Sequence, residues 1–212
     1  MTTTLLLIRH GETAWNAEHR IQGSLDVPLS ATGIRQAALL AERLRDEPVA
    51  AVYSSDLARA ALTAEPVAEQ VGCELKLDTR LRERSFGIFE GLTLDEIAAR
   101  HTADFHRWRA REFDWAMEGG ESASQLLTRL TDALTQIVVA HPAQTVAVVA
   151  HGGVLDVVYR QARTLAWDAP RRHQMLNASI NRVLAEAPPL ALRIERWGDV
   201  EHLEQARDES LT

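Results

Sequence analysis

Two histidines in this sequence could take part in chemistry, because each ends an apolar run and precedes a glycine. His10 follows the run Leu5–Ile8 and Arg9, and His151 follows Thr145–Ala150. Such runs predict strands that are buried on both faces, and ligands of open α/β sheets bind at the carboxyl ends of strands. Arg9 would supply a fixed cationic fork, and each neutral imidazole could act as a nucleophile or a base. The two strand ends therefore predict one shared reactive crevice.

Arg59 is a third candidate, and a predicted helix start places it. The short strand 50–53 ends at Ser54–Asp56, a cluster of residue types that favours the N-cap of a helix. Arg59 then falls in the first turn, from which its side chain can reach back over the strand ends. Because a phosphate ester is a dianion, it needs several fixed donors, and arginine forks bind its oxygens in pairs. Arg9, Arg59 and His151 could supply those donors.

The residues around His10 resemble the signature of a known family. The stretch Arg9–Thr13, continued by Trp15 and Asn16, is similar to that of the histidine phosphatase superfamily, whose members include cofactor-dependent phosphoglycerate mutases and many small phosphatases. The resemblance implies a phosphoglycerate mutase-like α/β fold, which is a three-layer sandwich with a mostly parallel central sheet and helices on both faces. It also implies that His10 attacks phosphorus and carries the phosphoryl group transiently.

The resemblance gives roles to further residues. The phosphoryl oxygens would be held by Arg9, Asn16, Arg59 and His151. The loop 81–92, which contains two glycines, matches the family's second acidic motif, in which Glu83 would protonate the leaving oxygen and then activate water. We expect burial and the phosphate dianion to raise the pKa of Glu83, and we expect Arg82 and Arg84 to point away from it. The other substrate-binding positions implied are Gln22, Gly23 and Gly152.

Two other classes of protein remain open. Eight histidines and many carboxylates would suit a metal-dependent hydrolase, although neither the His-x-x-x-His nor the His-x-His spacing of metal sites occurs. A non-catalytic phosphate-binding protein is the second alternative, although loss of catalysis usually removes the nucleophile or the acid and both are present. We therefore expect an enzyme that uses neither a metal nor a cofactor.

Within the family, hydrolysis competes with phosphoryl transfer between two positions of one substrate. Mutases of the phosphoglycerate type typically have a hydroxyl residue where this chain has Gln22, and a lysine where it has Thr93 and Leu94. Their paired arginines, which bind the substrate carboxylate, correspond at best to Arg109 followed by Ala110. These departures predict that the anchors for a small phosphocarboxylic acid are missing. They favour a phosphatase of a small phosphorylated metabolite, with mutase-type transfer as the alternative.

Length, composition and charge indicate the domain organisation, the cellular location and the classes of partner. The chain has 212 residues, 25% charged and 46% apolar, which is typical of one globular domain, 1–212. No apolar run reaches the roughly 18 residues of a membrane span, and the first residues lack the basic region of a secretory signal. We therefore expect a cytoplasmic protein. The formal net charge of -7 argues against nucleic acid or an anionic membrane as a partner. The oligomeric state, monomer or homodimer, stays open.

The segment 93–118 has two interpretations. Its pattern predicts one or two helices that carry exposed aromatic side chains among charges, namely Phe105, Trp108, Phe113 and Trp115. Such a segment could close over the site as a lid, or it could be a cap that packs permanently on the domain.

Patterns elsewhere predict the remaining elements. Apolar residues at helical spacing, with Ser30 or Thr32 as a cap, predict a helix that ends near residue 46. A second helix should start at a capping box of Ser122 and Gln125. Alternation in Glu74–Asp78 predicts an edge strand, and two runs near the carboxyl terminus predict a closing strand pair, 180–186 and 190–197.

Overall fold

The computed structural model describes residues 1–203, and a mixed sheet forms its centre. The strands are β1 (Thr3–Arg9), β2 (Val49–Ser54), β3 (Leu75–Leu77), β4 (Thr145–Ala150), β5 (Ile180–Glu186) and β6 (Ala191–Asp199). Their order in the sheet is β3-β2-β4-β1-β5-β6. Strands β1 to β4 pair in parallel, whereas β5 is antiparallel to both of its neighbours. The predictions of a mostly parallel α/β sheet, of β3 at its edge and of the closing strand pair are confirmed.

Helices cover both faces of the sheet. They are α1 (Ala14–Ala17), α2 (Ala31–Arg43), α3 (Ala58–Val71), α4 (Leu94–Arg100), α5 (Thr102–Arg109), α6 (Ala123–Ala140) and α7 (Gly152–Arg163). The Ser30 hydroxyl caps α2 by accepting a hydrogen bond from the Gly33 N–H. Ser122 and Gln125 form the capping box of α6. Both predicted helix starts are therefore confirmed.

The first strand shows why the fold has three layers. Its residues Leu5, Leu6, Leu7 and Ile8 are 0% exposed, and successive side chains of a strand point to opposite faces. Leu5 and Leu7 pack with residues of α6 and α7, whereas Leu6 and Ile8 pack with residues of α2 and α3. Burying one leucine completely contributes about 1.5–3 kcal/mol. The apolar run therefore fixes the strand whose end carries His10.

The start of α3 differs from its prediction. The main-chain N–H of Ala58 donates to Asp26 Oδ1 at 2.7 Å. Asp56, from the predicted capping cluster, instead accepts from Arg82, with Oδ1 and Nε 2.7 Å apart. The predicted cap is therefore wrong, because the Asp56 carboxylate has a stronger partner in a charged guanidinium. Arg59 nevertheless lies in the first turn of α3, as predicted.

The segment 93–118 contains α4, α5 and part of a small aromatic core. The four aromatic side chains predicted to be exposed are all partly buried: Phe105, Trp108, Phe113 and Trp115. Trp108 meets Phe86 and Phe89 edge-on, with ring centroids 6.2 and 5.9 Å apart. The prediction of exposure is wrong because these partners come from a loop distant in sequence, which the charged residues beside Trp108 could not reveal.

The described residues form one continuous sheet with its covering helices. Within residues 1–203, no helix is both long and apolar enough to cross a bilayer. Residues 204–212 of the expected single domain, 1–212, lie outside the described residues.

Replacing Asp26 with alanine tests whether this side chain holds the start of α3. The variant removes the acceptor of the Ala58 N–H, and the loss of a helix cap typically costs about 1 kcal/mol. We expect the free energy of unfolding, measured in urea, to fall by about that amount. The matched control is Asp46→Ala, which removes the same charge from an exposed aspartate. An equal loss of stability in both variants would contradict the capping role.

Candidate active site

The carboxyl ends of β1 and β4 bring the two predicted histidines together. The register pairs Arg9 with Ala150, and the His10 N–H donates to the Ala150 carbonyl at 2.9 Å. The rings of His10 and His151 follow directly, with centroids 5.2 Å apart and planes at 57°. The shared crevice that the two strand ends predict is therefore present.

His10 has the chemical form of a nucleophile. Its ring is buried, and Nδ1 lies 2.7 Å from the Gly11 carbonyl oxygen. Because a carbonyl can only accept, we assign the proton to Nδ1, which leaves Nε2 with its lone pair. Burial lowers the pKa of His10 well below its usual value, and the nearby Arg59 and Arg9 charges lower it further. The imidazole is therefore neutral at neutral pH.

Two buried polar side chains at the site have no protein partner in the described part of the chain. Neither ring nitrogen of His151 and neither amide atom of Gln22 makes a hydrogen bond within residues 1–203. Both side chains are almost completely buried, and an unsatisfied buried polar group costs about 1–3 kcal/mol. Burial, followed by the charge of Arg59, lowers the pKa of His151 well below its usual value. These groups are suited to hydrogen bonding with a ligand.

The two predicted arginines are buried at the site. Arg9 and Arg59 are both 0% exposed. Arg9 Nη1 donates to the Met175 carbonyl, and Arg59 donates to the carbonyls of Gly23 and Leu25, each at 2.7 Å. A neutral carbonyl orients a guanidinium without cancelling its charge. These contacts therefore hold two positive charges beside His10, where an oxyanion would be stabilised.

Glu83 is positioned by main-chain groups. Its Oε1 accepts from the Arg84 N–H at 2.7 Å, and its Oε2 accepts from the Gly153 N–H at 2.8 Å. A Cβ atom on Gly153 would lie 2.2 Å from Oε1, so only glycine leaves room for this carboxyl. Glu83 is thereby fixed to the start of α7, immediately after His151.

Arg129, which the sequence did not single out, organises the Glu83 loop. It donates to the main-chain carbonyls of Arg80, Arg82 and Glu83 at 2.7, 2.8 and 3.0 Å. It also pairs with both carboxylate oxygens of Glu121 at 2.7 Å. One side chain of α6 thus satisfies three carbonyls of the loop that carries the acidic residue. No sequence pattern signals this role, because the acceptors are main-chain atoms.

The arginines flanking Glu83 have partners of their own. Arg82 pairs with Asp56, and Arg84 Nε donates to the Glu121 carbonyl at 2.6 Å. The expected orientation of Arg82 away from Glu83 is therefore present. The charge of Glu83 still acts on Arg84: burial lowers the pKa of Arg84 to about 10, while the charges of Glu121 and Glu83 raise it.

A second missed residue, Glu90, holds the loop that carries Gln22 and Gly23. Its Oε1 accepts from the main-chain N–H groups of Ser24 and Phe86, each at 2.8 Å. Gly23 has a φ of 55°, and a Cβ atom there would lie 2.1 Å from the Glu90 carboxylate. The loop therefore needs glycine at this position both for its conformation and for its close approach.

Asn16, a predicted phosphate ligand, also caps the start of α1. Its Oδ1 accepts from the Thr13 N–H at 3.0 Å in a capping box at the start of α1. The amide of Asn177 reaches both this oxygen, at 3.4 Å, and the main-chain carbonyl of His10, at 3.0 Å. The predicted phosphate contact would therefore fall to Asn16 Nδ2, since an amide nitrogen is the atom that can donate to an anion.

A cavity of about 350 Å³ opens over these residues. Five of the predicted site residues line it, namely His10, Gln22, Gly23, Arg59 and Glu83. The other four are not among its lining residues: Arg9, Asn16, His151 and Gly152. Arg9 precedes His10 in the chain, the His151 ring lies 5.2 Å from the His10 ring, and Gly152 follows His151. Asn16 and the His10 carbonyl both contact the Asn177 amide.

The outer wall of the cavity is more cationic than the sequence suggested. Besides Arg109, its arginines include Arg84, Arg111 and Arg171. The expectation of missing carboxylate anchors rested on comparisons at Thr93, Leu94, Arg109 and Ala110, and it stays a prediction. Arg84 and Arg171 come from other loops that meet at the same opening, and Arg111 directly follows Ala110.

The lowered pKa values predict how the two histidines titrate. Both lie below the ordinary value of 6.5 in the folded protein, so as pH falls below that value the unfolded chain takes up protons first. The contribution of these two histidines to folding stability should therefore be fully present above about pH 6.5 and be lost as the pH falls below that value. Nuclear magnetic resonance of the ring Cε1–H groups, assigned with His10→Ala and His151→Ala, should show neutral rings at pH 6.5. A half-protonated ring at or above that pH would contradict the site's electrostatics.

Comparisons with known proteins agree with this geometry. Two Arabidopsis thaliana proteins, named Phosphoglycerate mutase-like protein 4 and Metal-independent phosphoserine phosphatase, are each 39% identical over 95% of this chain and 87% and 83% of their own lengths. The structure of a mycobacterial glucosyl-3-phosphoglycerate phosphatase in complex with VO3 superimposes with a TM-score of 0.81 at 32% identity. The superposition covers 92% of this chain and 98% of that one.

The family match spans the described core from β1 to the end of β6. Residues 5–199 match the histidine phosphatase superfamily, branch 1, and this range includes His10, Glu83 and His151. The sheet, the paired strand-end histidines and the buried arginines agree with that match. The chain belongs to the histidine phosphatase superfamily.

Proposed function

We propose that this chain hydrolyses phosphomonoesters of small metabolites through a phosphohistidine formed on His10. The observation that carries the proposal is the neutral His10 ring, whose Nε2 is left for attack while Nδ1 is held by the Gly11 carbonyl. The buried Arg9 and Arg59 charges lie beside it. A neutral nitrogen nucleophile next to fixed cations is what attack on a phosphate dianion requires.

In the first displacement, the Nε2 lone pair of His10 attacks phosphorus in line with the ester oxygen. The bond from phosphorus to that oxygen breaks, and the leaving oxygen keeps the electron pair and takes a proton from Glu83. Arg9, Arg59 and His151 would bind the equatorial oxygens, where charge spreads in the transition state. The Nδ1–H donated to Gly11 stabilises the positive charge that the phosphorylated ring acquires.

In the second displacement, Glu83 acts as a base. Its carboxylate takes a proton from water while the water oxygen attacks phosphorus, and the bond to His10 Nε2 breaks to release inorganic phosphate. The two main-chain donors, Arg84 N–H and Gly153 N–H, fix the orientation of the carboxyl. In the first displacement the charge of the bound phosphate dianion would favour the protonated carboxyl, because it disfavours a second anion nearby.

Relatives support a small phosphorylated metabolite as the substrate. One is named a metal-independent phosphoserine phosphatase, and another is a glucosyl-3-phosphoglycerate phosphatase. The cavity volume of about 350 Å³ suits a molecule of that class. Activity without a metal or cofactor, a cytoplasmic location, and a monomer or homodimer stay predictions.

Mutase-type transfer is the second candidate, because a relative that is 39% identical is named a phosphoglycerate mutase-like protein. The two activities differ only in what receives the phosphoryl group, water or a hydroxyl of the substrate. Gln22, in place of the hydroxyl residue typical of mutases, favours hydrolysis.

We also propose that 93–118 belongs to the single domain as a cap that shapes the outer cavity. Its Trp108, Arg109 and Arg111 line the opening, and the aromatic core below α5 supports a packed cap. Movement as a lid stays a prediction.

Replacing His10 with alanine tests the covalent intermediate. Rapid quenching of the wild type with a ³²P-labelled phosphomonoester should trap an acid-labile, alkali-stable phosphoprotein, and His10→Ala should trap none because it lacks the nucleophile. The control His106→Ala removes an exposed histidine of α5 and should trap as much label as the wild type. Label that persists in His10→Ala would mean that another residue attacks phosphorus.

Replacing Glu83 with glutamine tests the acid. The variant keeps the shape but has no proton to give, so its loss should depend on how strongly the leaving oxygen needs one. An alkoxide leaving group needs protonation, so phosphorylation of His10 by an alkyl phosphate should slow by about 10²–10⁴-fold in this variant. A nitrophenolate leaves without a proton, so phosphorylation by nitrophenyl phosphate should slow far less. Single-turnover burst rates measure the difference.

Two control variants show whether the effect of Glu83→Gln comes from loss of the acid. Glu83→Asp restores an acid and should recover part of the alkoxide rate, while Glu118→Gln removes a charge from an exposed glutamate and should change neither rate. Equal losses on both leaving groups in Glu83→Gln would show that the residue only shapes the pocket.

A further inference from the structure

The chain just before β5 is tied to the residues at the end of β1. The Ala178 N–H donates to the main-chain carbonyls of Arg9 and His10 at 3.0 and 3.3 Å. In the opposite direction, the Arg9 N–H donates to the Ser179 carbonyl at 3.3 Å. These bonds fix the main chain next to Asn177, whose side chain is 0% exposed. An amide is therefore buried at a fixed place beside the main chain of the proposed nucleophile.

The Asn177 amide bridges two groups of the site. Its Nδ2 lies 3.0 Å from the His10 carbonyl oxygen and 3.4 Å from Asn16 Oδ1. An amide nitrogen has two protons, so it can donate to both acceptors at once. An oxygen in the same position would face two other oxygens, and we therefore assign the nitrogen to this end of the amide. Asn177 thus connects the main chain of His10 with the side chain of Asn16.

The bridge determines which end of the Asn16 amide can meet an anion. Asn16 Oδ1 accepts from the Thr13 N–H at 3.0 Å, the Thr13 hydroxyl at 3.1 Å and Asn177 Nδ2 at 3.4 Å. The last of these donors is the one that also binds His10. Because these donors hold the oxygen, the nitrogen of the Asn16 amide is the end that can donate to a ligand. A rotation of this amide by half a turn would replace an attraction for an anion with a repulsion.

The other end of the Asn177 amide does not explain why an amide is buried here. Within residues 1–203, Asn177 Oδ1 is buried and makes no hydrogen bond. Burial of an acceptor without a partner is unfavourable. The bonds that Nδ2 makes are therefore the reason for an asparagine at this position in place of an apolar residue.

We propose that Asn177 is a positioning residue, which fixes the Asn16 amide relative to His10 so that Asn16 Nδ2 faces the phosphoryl group. This inference rests on the proposed function, in which His10 attacks phosphorus and Asn16 holds a phosphoryl oxygen. Asn177 acts through Asn16 and not on the substrate. Its loss would leave the phosphate ligand present but badly oriented.

A double-mutant cycle with inorganic phosphate as the probe tests this role. Isothermal titration calorimetry gives the phosphate affinity of the wild type, Asn177→Ala, Asn16→Ala and the double variant. We expect Asn16→Ala to weaken binding by about tenfold, the usual scale of one hydrogen bond to a charged group. Asn177→Ala should weaken it by about fivefold or more in the wild type, but by less than about twofold once Asn16 is already alanine.

Asn181→Ala is the matched control. Asn181 is also 0% exposed, and its Nδ2 donates to the Leu7 carbonyl at 3.0 Å. It thus makes the same kind of bond to β1, three residues before His10. The control should lower the free energy of unfolding at least as much as Asn177→Ala, yet change phosphate affinity by less than about twofold. Equal weakening of phosphate binding in both variants would show a general loosening of the fold and would overturn the proposal.

One measurement needs no variant. In the wild type, the side-chain Nδ2–H resonances of Asn16 should move downfield when phosphate binds, because these protons then donate to an anion. Resonances that stay in place when the protein is saturated with phosphate would overturn the proposal, even if Asn177→Ala fails to fold.

The outcomes separate this role from the proposed function. Unchanged phosphate affinity in Asn177→Ala, or an equal loss from that substitution with and without the Asn16 amide, would overturn the positioning role while nitrophenyl phosphate is still hydrolysed. A wild type that binds phosphate but releases none from any ester would instead reject the phosphatase function, and the cycle would still decide the role of Asn177.

Discussion

The site depends on keeping positive charge beside neutral imidazoles inside the protein. Arg9 and Arg59 are fully buried, and the carbonyls that orient them leave their charges in place. Burial, followed by these same charges, lowers the pKa values of His10 and His151. The His10 ring can therefore stay neutral beside Arg9 and Arg59, which would bind the phosphate that it attacks. The same buried charges lower the pKa of the ring and attract the phosphate.

The loops around the site serve this arrangement. Gly11 and Gly33 approach so closely that a Cβ atom on Gly11 would lie 2.7 Å from the Gly33 carbonyl oxygen. The chain after His10 therefore lies directly on the start of α2. Arg129 and Glu90 fix the loops that carry Glu83 and Gln22 in the same manner, through hydrogen bonds to main-chain groups. Hydrogen bonds to main-chain groups thus position the loops that carry these two side chains.

The sequence alone was sufficient to identify the site residues that follow the strands. His10 and His151 could be found because apolar runs and glycines mark buried strands, and the parallel register brings their ends together. Arg129 could not, because its acceptors are main-chain carbonyls from another part of the chain. The predicted exposure of Trp108 was wrong because Phe86, which packs against it, lies in a loop distant in sequence. The position of Arg111 at the cavity was missed because the loops that line the cavity meet only in the folded protein.

The position of the phosphoryl group on His10 tests the account most directly. The bond between Nδ1 and the Gly11 carbonyl leaves only Nε2 for attack, so the account predicts a phosphoryl group on Nε2. The trapped phosphoprotein would be digested under alkaline conditions, and the phosphorylated nitrogen of the His10 peptide identified from its ³¹P and ¹⁵N resonances. Phosphohistidine exclusively at Nε2 is the predicted result, whereas phosphorylation at Nδ1 would contradict the tautomer on which the mechanism rests.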